Sequence, residues 1–243
     1  GKLFENAKFM MKVRKRLEPL DILLEKTPFR LTDNFIPGYW GHAAIYIGNQ
    51  KDLQKLGIWN HDLVQKYKEQ ILSGKTIVEA LRSNVQINSL DHFTDIDDFA
   101  IIRLNKELTS DEKAQHILRA LSHIGKKYDF SFDVETGETI VCSELHYRTY
   151  IDIDFNTSTI LGRPTISVDQ VAEQALVNMP FSPKLLYIDG RKVKDEVMQV
   201  IYDQKLNTPL PGDILDDDDT FESQQFYKNL NLEPFRDELI DLG

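Results

Sequence analysis

The sequence predicts an α+β fold in which a mostly antiparallel sheet packs against helices. Three observations predict it. Short apolar runs at residues 20–24, 41–48, 76–80 and 99–104 have strand length, and several are closed by glycine or polar turn residues. Val85-Gln86-Ile87 alternates and follows the 76–80 run closely, as a hairpin partner would. Helical stretches are interspersed among these strands, which favours an α+β arrangement.

Taken in order, residues 3–16 hold no helix breaker and space Leu3, Phe9, Met10, Val13 and Leu17 along one face, which predicts an amphipathic helix ended by Pro19. Leu20-Asp21-Ile22-Leu23-Leu24 reads as a strand. Residues 27–41 read as a loop, rich in Pro28, Asp33, Asn34, Pro37, Gly38 and Gly41. Gly41-His42-Ala43-Ala44-Ile45-Tyr46-Ile47-Gly48 reads as the next strand, and 51–72 as polar helix. Gly74 punctuates before Thr76-Ile77-Val78-Glu79-Ala80, and Phe99-Ala100-Ile101-Ile102-Arg103-Leu104 gives a further strand.

Thr109-Ser110-Asp111-Glu112 starts a helix, with a hydroxyl cap and acids in its first turn; Gly125 stops it. After a loop over 126–138, residues 139–145 run from an extended segment into a helix that ends near Tyr150. Residues 167–177 read as a helix capped by Ser167, and 184–188 as a last strand. From about residue 205 the chain turns acidic and irregular, with Asp216 to Asp219 in one block. The expected organisation is a domain over residues 1–204, with its N-terminal helix at about 3–17, and an acidic extension over 205–243.

The composition excludes several function classes. A formal net charge of −10 argues against a nucleic-acid binder, which needs positive surface to offset phosphates, and against simple adhesion to anionic membranes. One cysteine permits neither an internal disulfide nor a multi-cysteine zinc site. No apolar run is long enough to span a bilayer, so no integral membrane segment is expected. Gly74-Lys75-Thr76 resembles the end of a phosphate-binding loop, but Glu69 stands where that motif needs a glycine. The Asp95 to Asp98 and Asp216 to Asp219 clusters lack the glycine and distal glutamate of an EF-hand calcium loop, and no H-E-x-x-H occurs. Neither a metal nor a cofactor is expected.

Cys142 can be read as a small buried hydrophobe or as a nucleophile. Its position, where an extended segment runs into a helix, favours chemistry. The positive end of the helix favours thiolate over thiol, and the free N–H groups of the first turn can hold an oxyanion. A thiol also needs a base. His61, His92, His116 and His123 lie in polar helices or loops and read as exposed or capping residues. His146 shares a helix face with Cys142, but direct contact along the helix is strained. His42 opens a strongly apolar strand, where a polar ring is costly unless paired. It is either a core histidine bonded to backbone or the base. Glu79 repeats the anomaly in the 76–80 strand. It is either a strand-end residue facing solvent or a carboxylate that orients His42.

Together, the Asp21-Ile22-Leu23 strand, the Gly41 to Gly48 segment, Ile77-Val78-Glu79-Ala80, Tyr128-Asp129 and Val141-Cys142-Ser143-Glu144-Leu145 resemble, in this order, the permuted papain-like amidases of the YiiX/YaeF type. These are relatives of the bacterial NlpC/P60 peptidases and of lecithin:retinol acyltransferase-like enzymes. The resemblance covers about residues 20 to 190, with the histidine preceding the cysteine as in that group. It implies a permuted papain-like fold and a bacterial origin. It implies Cys142 as nucleophile, His42 as base, Glu79 as the orienting residue and Tyr128 as a helper at the oxyanion site.

Three departures accompany it. Leu20 replaces the usual glycine before the strand, the insert between His42 and Glu79 is long, and the tail after residue 205 has no counterpart. The expected activity is hydrolysis of an amide in a peptide, a peptidoglycan stem or an N-acyl lipid. The alternatives are a lipid ester or thioester hydrolase or acyltransferase, and a non-catalytic peptide- or lipid-binding module. A removed leader would place the protein in the cell envelope or outside the cell; otherwise it would be cytoplasmic.

Overall fold

The computed structural model describes residues 1–27, 38–128, 139–160, 163–207 and 240–241. Helix α1 (Ala7–Arg16) starts later than the apolar spacing suggests, because Asn6 caps it by accepting from the Phe9 N–H at 3.0 Å. Leu3 lies before the helix and donates its N–H to the Ile96 carbonyl at 2.9 Å. Strands β1 (Ile22–Lys26) and β2 (His42–Tyr46) follow. The expected helix over 51–72 is three short ones: α2 (Gln50–Lys55), α3 (Asp62–Lys66) and α4 (Lys68–Leu72). Gly57, at φ 74°, turns the chain after α2, and His61 starts α3 by accepting from the Leu63 N–H.

Next come β3 (Lys75–Ala80), β4 (Val85–Ser89), a single turn α5 (Leu90–Phe93), β5 (Asp98–Leu104) and α6 (Ser110–Ser122). Thr109 and Glu112 form a reciprocal capping box at the start of α6. Then β6 (Lys127–Tyr128) pairs in parallel with β7 (Thr139–Ile140), and α7 (Cys142–Thr149) begins at once. A hairpin of β8 (Ser158–Ile160) and β9 (Arg163–Thr165) was not expected. The predicted 167–177 helix is α8 (Val168–Ala172) continued by one 3-10 turn over Glu173–Ala175.

The strand expected at 184–188 is longer, β10 (Phe181–Ile188), and it is not the last. Asp189 and Gly190, at φ 52° and 76°, make a tight turn into β11 (Arg191–Val193). A 3-10 turn over Asp195–Val197 leads into α9 (Met198–Asn207), whose Met198 and Tyr202 are buried. β12 (Ile240–Asp241) pairs with β11. Most of the expected loops over 27–41 and 126–138, Asp129, and the Asp216 to Asp219 block lie outside the described residues.

The main sheet has the order β12-β11-β10-β5-β1-β2-β3-β4, and every neighbouring pair in it is antiparallel. One face carries Ile22, Leu24, Ala43, Ile45, Val78 and Ile102, which pack with residues of α6, α7 and α8. The other carries Leu23, Ala44, Ile77, Phe99 and Ile101, covered by Leu3, Phe9 and Val13 at the N-terminus and by Leu90 and Phe93 of α5. With both faces covered, β1 is buried almost throughout, and its run of leucine and isoleucine needs no polar alternation.

Asp21 fastens this central strand. Its buried carboxylate accepts from Arg103 Nε at 2.6 Å and Nη2 at 2.8 Å. Beside it Leu20 adopts φ 73°, the left-handed region that favours glycine, and its carbonyl accepts from the Tyr150 hydroxyl at 2.7 Å. Among the described residues no helix is long and apolar enough to cross a membrane.

Candidate active site

Cys142 is the first residue of α7, is 7% exposed, and belongs to the larger of the two cores. The helix has Val141 as its N-cap, and no side chain caps it there. The first intrahelical bond runs from the Leu145 N–H to the Val141 carbonyl, so the geometry of the first turn gives the Cys142 and Ser143 N–H groups no intrahelical acceptor. Glu144 reaches back to accept from the Val141 N–H at 3.3 Å. Its buried carboxylate also binds Arg148 Nε at 2.8 Å and Nη2 at 2.6 Å. Ser143 is held by its hydroxyl, which donates to the Ile166 carbonyl at 2.6 Å. These bonds fix the turn that carries the thiol.

His42 is the first residue of β2, and its ring lies 5.8 Å from that of Phe93 in the second core. Its Nε2 donates to Glu79 Oε2 at 2.9 Å. The Cys142 side chain also acts on the ring and favours its protonated form. The imidazole therefore holds the buried carboxylate and interacts with Cys142 where the two cores meet, at the start of β2. Burial alone would lower its pKa. The interaction with Cys142, the hydrogen bond to Glu79 and the charge of Glu25 outweigh burial and hold it well above the ordinary histidine value.

Glu79 sits in β3 opposite Ala44 and is 2% exposed. Burial would raise its carboxyl. The hydrogen bond and charge of His42, a hydrogen bond from Asn88 and the charge of His92 prevail, and its pKa lies below the ordinary glutamate value.

The segment before His42 is also fixed. Asp169, in the first turn of α8, accepts from the Tyr39 N–H at 2.7 Å and the Trp40 N–H at 2.8 Å. A Cβ on Gly38 would fall 2.7 Å from Asp169 Oδ2, so only glycine lets the carboxylate come this close. The backbone of Glu25, paired with His42 in the sheet, accepts from the Gly41 N–H at 2.9 Å.

The other histidines divide. His61 caps α3 as expected. His116 and His123 were expected as exposed or capping residues; His116 is instead buried, because α6 turns it inward with Ala114, Ile117 and Ala120, while His123 is the C-cap of α6 and is also buried. His116 Nδ1 donates to the Thr149 carbonyl at 2.9 Å. His92 is about half exposed, and its Nδ1 lies 3.3 Å from Glu79 Oε1.

His146 is wholly buried, stacks with Tyr150 and donates Nδ1 to the Cys142 carbonyl at 2.8 Å. Burial pushes its pKa down to about 4. Its Nε2 has no full hydrogen-bond partner among the described residues, although the Ala44 backbone acts on the ring. It is a neutral packing histidine bound to the backbone of Cys142, not to its thiol.

Tyr128 lies in β6, with its backbone registered against Ile140, two residues before Cys142; its side chain lies outside the described residues. Sequence reasoning missed Asn88 and the contact of His92. Among the described residues no group of three or more His, Cys, Asp or Glu side chains is arranged to hold a metal ion.

A family model described as "permuted papain-like amidase enzyme, YaeF/YiiX, C92 family" matches residues 16–233. The crystal structure of the metalloprotein yiiX from Escherichia coli O157:H7 is similar, with 15% identity and a TM-score of 0.45, over 72% of this chain and 89% of that one. A search of curated proteins found no match.

Proposed function

This chain belongs to the permuted papain-like amidases of the YaeF/YiiX type and is a cysteine amidase or peptidase, and on that premise we propose that it cleaves its amide by a Cys142–His42–Glu79 mechanism. The observation that carries the proposal is the 2.9 Å bond from His42 to the buried Glu79, with Cys142 at the start of α7 acting on the same ring. In the first step the thiol proton passes to His42 and the sulfur attacks the amide carbonyl. The N-terminus of α7 faces the developing oxyanion, with the Cys142 N–H as the nearest donor. Tyr128 is proposed as a second donor, supported by the β6–β7 pairing that brings its backbone near Cys142. His42, now an imidazolium stabilised by Glu79, gives its proton to the leaving amine. Water then attacks the thioester with His42 as base, releasing the acid and restoring the thiol.

The substrate class is a peptide, a peptidoglycan stem or an N-acyl lipid. We also place this chemistry in residues 1–204, with 205–243 as an extension of it. The test compares amides, esters and thioesters sharing one acyl group, in wild type and Cys142→Ala. Turnover of the amide that falls by orders of magnitude in the variant supports the mechanism. Retained amide turnover in Cys142→Ala overturns it, and turnover of esters alone overturns the amide assignment.

A further inference from the structure

The Glu79 carboxylate has two oxygens, and only Oε2 is engaged by His42. The other, Oε1, accepts from Asn88 Nδ2 at 2.9 Å and lies 3.3 Å from Nδ1 of His92. Asn88 is in β4, is 9% exposed, and is registered opposite Ile77, two residues before Glu79 on the neighbouring strand. A shift in the β3–β4 register between Lys75 and Ile77 lies beside this pairing. His92 is in α5, directly after β4.

A carboxylate held by one oxygen can still turn about its last side-chain bond, and a turn would carry Oε2 away from the histidine. A buried carboxylate with one unmatched oxygen also tends to take up a proton. Asn88 prevents both: its amide is a neutral donor whose charge state does not change with pH. We propose that Asn88 is a positioning residue of this active site, holding Glu79 through Oε1 so that Oε2 stays on His42, with His92 as an accessory contact at the solvent edge. Asn88 touches neither thiol nor substrate and acts only through Glu79. Among the described residues, the titratable groups that act on His42 and Glu79 include Cys142, Glu25, His92 and His146.

The inference rests on the proposed Cys142–His42–Glu79 reading, and its test separates the two. The rate of Cys142 alkylation by iodoacetamide is followed against pH in wild type, Asn88→Ala and the isosteric Asn88→Asp, with thermal unfolding in parallel. The expected result is an acid limb that moves up by about one pH unit in both variants, with a roughly tenfold slower reaction on that limb, the size of a lost bond to a charged group. A purely structural asparagine would lower the melting temperature and leave the limb in place. Folded variants with an unmoved limb overturn the positioning role while the mechanism stands. No acid limb in the wild type removes the mechanism and this role together. If neither variant folds, the Asn88 side-chain amide resonances of the wild type serve instead. They shift in step with the alkylation limb if Asn88 acts through Glu79; unmoved resonances overturn the role.

Discussion

Nε2 of His42 donates to Oε2 of Glu79 at 2.9 Å, although the two residues stand 37 positions apart on separate strands. The bond sets the tautomer: with Nε2 carrying the proton toward Glu79, Nδ1 is free to take a proton from Cys142. Glu79→Gln preserves the shape but removes the charge that stabilises the imidazolium. Its kcat is expected to fall on the order of 10²-fold or more, with a smaller change in KM. Steady-state kinetics on a turned-over amide checks this, and an unchanged kcat would contradict it.

The same pair makes stability depend on pH in a definite direction. The Glu79 carboxyl is depressed in the folded state, so its contribution is present above the unfolded value of about 4.3 and lost as pH falls through the folded value. The His42 ring is raised, so its contribution is present below about 6.5 and lost as pH rises through the folded value. The difference in melting temperature between wild type and His42→Ala is expected to be largest between about pH 4.3 and 6.5. A difference that does not vary with pH would count against the ion pair.

His146 behaves oppositely. Its buried ring has a pKa of about 4, so the unfolded state gains protons first, and stability is withdrawn as pH falls below the unfolded value of about 6.5. His146→Phe is expected to remove that slope, seen in denaturant midpoints at pH 5 and 7, and to leave the acid limb of Cys142 alkylation in place. A limb that moved would give His146 a share in activating the thiol.

Asp169 anchors two consecutive N–H groups just before His42. Asp169→Ala leaves both without that acceptor and is expected to cost about 1–3 kcal/mol in stability. It should also slow neutral-pH alkylation of Cys142, because β2 loses a fixed starting point. Denaturant unfolding and a single alkylation rate test both; an unchanged rate in the folded variant would show that β2 alone fixes His42.

Leu20 is buried at φ 73°. Leu20→Ala and Leu20→Gly lose most of the same packing, but only glycine relieves the left-handed conformation. The glycine variant is expected to be more stable than the alanine variant by about 1–2 kcal/mol, measured by denaturant unfolding. The reverse order would mean that the backbone there relaxes without cost.

Much of the candidate site was legible because its residues break local patterns. His42 and Glu79 are polar where β2 and β3 are otherwise apolar, and Cys142 stands where an extended segment becomes a helix. Asn88 was not legible for the opposite reason: after Val85-Gln86-Ile87 a polar residue continues the alternation, and only the sheet shows that it points at Glu79. His116 misled because the polar residues around it hide the inward face of α6. The β10–β11 hairpin did carry a signal, Asp189-Gly190, a dipeptide suited to tight primed turns. Helix α9 carried little, since Gln199, Asp203 and Gln204 blur its periodicity around the buried Met198 and Tyr202.

The central claim is that His42 and Cys142 form one proton-sharing unit. The most direct measurement is the pH dependence of Cys142 alkylation by iodoacetamide in wild type and in His42→Ala. The expected result is a wild-type thiol that alkylates readily at neutral pH, and a His42→Ala variant that loses this reactivity. A thiol that stays inert until the protein unfolds, or one whose profile ignores His42, would contradict it.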